Sequence, residues 1–191
     1  MANILFICGS LNQTTQMHKI ARHSMNEHEC YFTPYYGDGV VNLAAKIGWL
    51  NFTVLGGRHK RETMEYLSCH NLKVDLRGEA RSYDLVVTCS DLIIQNNIRS
   101  KRVVLVQEGI TEPEGIMYHL VKWLKLPRYL ANTATNGLSN DYDIFCVASE
   151  GYAELFTRKG VREEKIAVTG IPNFDNMKNE QKNNFPFHGY V

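Results

Sequence analysis

No stretch of this chain approaches the roughly 20 consecutive apolar residues that a membrane-spanning helix needs, which excludes an integral helical membrane protein. The N-terminus runs straight into the apolar series Asn3-Ile-Leu-Phe-Ile-Cys8, without the basic and long apolar regions of a secretory signal. Cysteine is sparse: Cys8, Cys30, Cys69, Cys89 and Cys146 form no C-x-x-C pair and have no histidine at metal-ligand spacing. That excludes a zinc ribbon and a secreted disulfide scaffold, and no metal site is expected. Three of the five lie in apolar runs, where cysteine behaves as a small core residue, so the chain reads as a soluble, unprocessed cytoplasmic protein with reduced thiols. Charge of one sign is also missing: 21 Lys and Arg stand against 20 Asp and Glu, a formal net charge of +1. No basic block interleaves with aromatics, so nucleic-acid binding is not expected. The first strand-to-helix turn lacks both the G-x-G-x-x-G fingerprint and the lysine of a phosphate-cradling P-loop, which argues against dinucleotide or ATP binding there.

What the chain has is a recurring alternation. At 191 residues and 44% apolar content it suffices for one domain with a sizeable core, or one domain with a tail. Short apolar runs rich in β-branched residues predict strands at 4–8, 29–33, 52–55, 84–89, 102–107, 143–147 and 165–169. Segments of helical period lie between them at 14–26, 40–50, 58–71, 114–125, 150–159 and 173–183, with Pro127 and Gly160 as stops for the fourth and fifth. Several strands are apolar throughout rather than alternating, as strands covered on both faces are. The expected fold is α/β, a Rossmann-like three-layer αβα domain around a mostly parallel sheet of about six or seven strands.

Three strand ends carry candidate chemistry. After the first strand, Gly9, Ser10, Asn12, Gln13, Thr14 and Thr15 place backbone N–H groups and polar side chains at the carboxyl edge of the sheet, where open α/β sheets bind ligands. Thr14 or Asn12 as a simple helix cap explains the same residues, and both readings stand. After the strand at 102–107, Gln107, Glu108 and Gly109 form a sharp exit. A carboxylate at the end of a buried strand is partly desolvated and suits a general base, and Gly109 lets the chain turn so that Glu108 faces the crevice. An ion pair between Glu108 and a nearby Lys or Arg is the rival reading. Glu112 and Glu114 read as a charge cluster at a helix start. After the last strand, Thr169 and Gly170 make a tight exit stiffened by Pro172, with Asp175 able to cap a following helix; they line the cleft chiefly as turn chemistry. Residues 176–184 are polar and linker-like, and Phe185-Pro-Phe-His-Gly-Tyr-Val191 turns apolar again. This tail either opens a further domain or packs back onto its own.

Taken in order, Tyr83-Asp-Leu-Val-Val-Thr-Cys-Ser-Asp91, the run from Val103 to Gly109, Tyr142-Asp-Ile-Phe-Cys-Val-Ala-Ser149 and Val168-Thr-Gly-Ile-Pro-Asn-Phe-Asp175 resemble the N-terminal domain of GT-B enzymes. The branch is that of the CDP-glycerol glycerophosphotransferases and UDP-N-acetylglucosamine 2-epimerases. The resemblance implies that residues 1–175 are a Rossmann-like acceptor-side domain and that 176–191 are a linker and the start of a second, nucleotide-gripping domain. It implies no metal and no cofactor in this domain, with a nucleotide-activated donor of UDP-sugar or CDP-glycerol type held by the partner domain. Glu108 stands where the family carries a cleft His or Glu, so it is the expected base toward an acceptor hydroxyl. Gly9, Ser10, Asn12, Gln13, Thr14, Thr15, Gln107, Gly109, Ser149, Thr169 and Gly170 are the expected substrate-binding residues. The alternatives are the N-terminal half of a nucleotide-sugar 2-epimerase, with Glu108 moving a proton within the substrate, and a non-catalytic Rossmann-like binding module. In either enzymatic case the 191-residue chain is expected to be inactive alone, and peripheral contact with a membrane is left open.

Overall fold

The computed structural model describes residues 1–51, 53–111, 114–124, 128 and 134–175. Six strands form one sheet: β1 (Asn3–Cys8), β2 (Glu29–Pro34), β3 (Leu85–Thr88), β4 (Arg102–Val106), β5 (Ile144–Val147) and β6 (Ile166–Val168). Their order is β2-β1-β3-β4-β5-β6 and every pairing is parallel. The helices are α1 (Leu11–Arg22), α2 (Gly39–Lys46), α3 (Gly57–Cys69), α4 (Ile116–Leu124) and α5 (Glu150–Lys159). The chain is therefore an α/β protein of Rossmann-like architecture.

The all-apolar strands have the expected cause. Side chains alternate between the two faces of a pleated strand, and each face has its own core. Leu5, Ile7, Val86, Leu105, Phe145 and Val147 pack with Tyr35, Tyr83 and Phe156 of α5 on one side. Ile4, Phe6, Phe32, Val87 and Val106 pack with Met17 and Ala21 of α1 and Leu67 of α3 on the other. Burying a large aliphatic or aromatic side chain contributes about 1.5–3 kcal/mol, so the two faces together are the main stabilising term. α5 stops at Gly160, which takes up φ 112° in the left-handed region and caps the helix with its N–H.

The sequence expectations need four corrections. Residues 53–55 are not a strand: Thr53 N–H and its hydroxyl both donate to Leu50 O, and Leu55 N–H donates to Thr53 Oγ1, so local hydrogen bonds close a turn that leads into Gly56. Residue 52, the first of that expected strand, lies outside the described residues. α1 starts three residues before the expected position 14, because Ser10 caps it in place of Asn12 or Thr14. α4 begins at Ile116 rather than 114. Where a helix was expected over 173–183, the described residues make a 3₁₀ turn, Pro172–Phe174, closed by Asp175 N–H on Pro172 O, and 176–183 lie outside the described residues. Pro127, Glu112 and the expected linker and second-domain start at 176–191 lie outside the described residues.

Candidate active site

Sheet order reverses between β1 and β3: β1 leads out to β2 on one side, and the chain then returns to build β3, β4, β5 and β6 on the other. The carboxyl ends at such a switch point diverge and leave a crevice, the general location of ligand sites in open α/β sheets. Glu108 emerges two residues past β4 at this edge and reaches across the end of β3 to the start of α1. Its Oε1 accepts from Ser10 Oγ at 3.2 Å and Asn12 Nδ2 at 3.0 Å, and its Oε2 accepts from Gln13 Nε2 at 2.6 Å. No ion pair involves Glu108 among the described residues; its partners are neutral donors.

Those donors are arranged by a capping box. Ser10 Oγ accepts from Gln13 N–H at 3.3 Å, and Gln13 Oε1 accepts from Ser10 N–H at 3.1 Å. Two of the orphan donors of the first helical turn are thereby satisfied reciprocally. The amide of Gln13 is thus fixed by its oxygen, and its nitrogen must point at the carboxylate. Gly9 is required by the same fold-back: a Cβ there would stand 1.7 Å from Gln13 Oε1.

The turn beneath Glu108 is held by Gln107, a buried side chain whose Nε2 donates to Gly109 O at 2.7 Å and whose Oε1 accepts from Ala148 N–H at 2.9 Å. Gln16 of α1 donates to Gln107 O at 2.9 Å. A cavity of about 320 Å³ opens beside the carboxylate, lined by Asn12, Gln107, Glu108, Gly109, Ile110, Thr111, Asn136 and Phe156. Among the described residues its lining carries no cation. Below it, burial pushes the Cys8 thiol up to about 12, eased by a hydrogen bond with Thr14. Burial, reinforced by the Glu108 charge, holds the Cys89 thiol well above its ordinary value. Both stay protonated near neutral pH, and a protonated, buried thiol is no nucleophile.

The expected site residues divide. Ser10, Asn12, Gln13, Gln107, Glu108 and Gly109 come together. Gly9 is buried beneath Gln13. Thr14 is turned away from the crevice: it is fully buried, its hydroxyl shared between Ser10 O and Thr63 of α3, so it is a packing residue. Thr15 bonds Asn12 O within α1. Ser149 caps α5, accepting from Tyr152 N–H. Thr169 and Gly170 donate their N–H groups to Val147 O and line a different, apolar groove of about 330 Å³, bounded by α1 and by the strands β1, β3, β4 and β5. Asn136 and Asn173 were not anticipated. Asn136 accepts from Asp91 N–H and donates to Cys89 O, tying its own loop to the end of β3, and Asn173 donates to Asn12. Neither has a local signal, since both matter only through partners far along the chain.

No family model matches the chain, and no curated protein matches it. Among solved structures, it is similar to Alr3699/HepE of Anabaena in complex with UDP and glucose, at 15% identity and a TM-score of 0.49, over 90% of this chain and 44% of the other. It is also similar to UDP-N-acetylglucosamine 2-epimerase from Rickettsia bellii, at 11% identity and a TM-score of 0.45, over 96% of this chain and 50% of the other. The chain thus spans about half the length of each. Among the described residues no group of three or more His, Cys, Asp or Glu side chains could hold a metal ion, and no helix is long and apolar enough to cross a membrane.

Proposed function

We propose that this chain is the acceptor-binding N-terminal domain of a metal-independent GT-B glycosyltransferase or glycerophosphotransferase that uses a nucleotide-activated donor, with Glu108 as general base. The observation that carries the reading is the Glu108 carboxylate itself, held at the switch-point edge by three neutral donors and facing a cavity in which no described residue is a cation. An ionised carboxylate offers about four acceptor positions. Ser10 and Asn12 occupy Oε1 and Gln13 occupies one position of Oε2, which leaves one on Oε2 for the hydroxyl of an acceptor.

The step balances simply. The acceptor O–H bond breaks as its proton passes to Oε2. The acceptor oxygen forms a bond to the sugar carbon or phosphorus of the donor, and the bond to the nucleotide leaving group breaks with the electron pair going to that group. Nothing in this step calls for a metal in the acceptor domain, and the donor belongs to the complementary domain.

General bases contribute roughly 10²–10⁴ in rate. In the chain joined to a nucleotide-binding domain, Glu108→Gln is expected to lower kcat by about 10²-fold or more with the acceptor KM little changed. Unchanged turnover would remove Glu108 from the chemistry and favour a binding module. Conversion of a nucleotide sugar to its epimer without consumption of acceptor would assign the same carboxylate to proton transfer within the substrate.

A further inference from the structure

The exit segment after β6 is pinned to the start of α1 through one side chain. Asn173 Nδ2 donates to Asn12 Oδ1 at 2.8 Å and to Asn12 O at 3.2 Å, while Asn12 Nδ2 donates to Glu108 Oε1 at 3.0 Å. A primary amide has one accepting and one donating end. With its oxygen engaged by Asn173, Asn12 can present only its nitrogen to Glu108. Turned over, it would set an oxygen against the carboxylate. Asn173 is oriented in the same way, because both of its partners on residue 12 are acceptors. Its own Oδ1 is left buried without a donor among the described residues. The turn that delivers Asn173 is rigid: Thr169 and Gly170 N–H both bond Val147 O, Gly170 takes φ 84°, and Pro172 begins the 3₁₀ turn.

We infer that Asn173 is a positioning residue for Glu108, fixing the orientation of Asn12 and thereby coupling the exit segment to the carboxylate across the crevice. This rests on the reading of Glu108 as the base. The coupling can be read on the 191-residue chain without any turnover, from the side-chain NH₂ resonances of Asn12 and Gln13. Asn173→Ala is expected to shift both pairs, the Gln13 pair because Glu108 readjusts when Asn12 is released. Asn12→Ala is expected to shift the Gln13 pair equally, and the double variant to add nothing, as residues acting through one another are non-additive. Unmoved backbone amides in β1 serve as the control for folding. Asn173→Asp, of equal size, replaces the donor with an acceptor and should turn Asn12 over, moving the Gln13 pair at least as far. A Gln13 pair that stays in place in both Asn173 variants, or a double variant that exceeds Asn12→Ala, would overturn the inference. With the nucleotide-binding domain present, Asn173→Ala should lower kcat by the same factor as Asn12→Ala and leave KM unchanged. Failure of Glu108→Gln to reduce turnover would instead sink the base assignment and leave the resonance result standing.

Discussion

Glu108 has the donors it has because Gly9 has no side chain. Gln13 folds back over that glycine to complete the capping box, and only from that position can its nitrogen reach Glu108 Oε2. Gly9→Ala is therefore expected to expel the Gln13 amide, at a cost near that of losing a helix cap, about 1 kcal/mol, measured by urea denaturation. The same variant should release the Gln13–Glu108 bond, so its Gln13 NH₂ resonances should move toward those of a solvated glutamine. A Gly9→Ala protein with wild-type stability and unmoved resonances would mean that the fold-back is incidental. Asp91 is the other residue on which the carboxyl edge depends. Completely buried, it accepts from Gly137 N–H at 2.7 Å, Ser139 N–H at 2.9 Å and Arg128 Nη1 at 3.0 Å. Removing one partner of a buried ion pair typically costs 3–5 kcal/mol. Asp91→Ala should lose on the order of 3 kcal/mol or more in a chemical denaturation, and a loss below ~1 kcal/mol would show that water replaces the carboxylate without difficulty.

At the scale of elements, the packing of α1 on α3 holds a titratable contact. His18 Nδ1 lies 3.0 Å from Tyr66 Oη, and its ring meets that of His70 edge to face at a 5.2 Å centroid separation. Burial, then the neighbouring His70 and Arg22 charges, lower the pKa of His18 below its ordinary value. The unfolded chain thus takes up a proton at a higher pH than the folded one. The contribution of His18 is fully present above its unfolded value near 6.5 and is lost as pH falls through the lower folded value. His18→Gln is expected to flatten the fall in Tm between pH 7 and pH 5; an unaltered slope would place that pH dependence on other groups. The strand-helix alternation around this contact was legible in the sequence because short all-apolar, β-branched runs alternate with segments of period 3.6. Residues 53–55 misled because apolar content alone does not distinguish a strand from a turn. Thr53 and the glycines after it decide the matter by local hydrogen bonds.

For the molecule as a whole, two faces of one sheet are each backed by a core, and the thiols report how firmly. Cys69 is exposed, Cys146 half-buried, and Cys8, Cys30 and Cys89 buried. Alkylation at pH 8 should modify Cys69 first and Cys146 more slowly. Cys8 and Cys89 should react only at the rate of global opening, so that urea accelerates both in parallel. Independent rates for Cys8 and Cys89 would reveal that the two strand ends open separately. The sequence by itself determined the all-apolar strands, their burial on both faces, the stop at Gly160 and the place of Glu108 at a strand end, because each is written in neighbouring residues. Only the tertiary structure decided that Thr14 faces α3 and that Asn136 and Asn173 matter. Those assignments depend on hydrogen bonds between residues 45 to 161 positions apart. A contact across such a separation has no period and no composition of its own until the sheet brings its ends together.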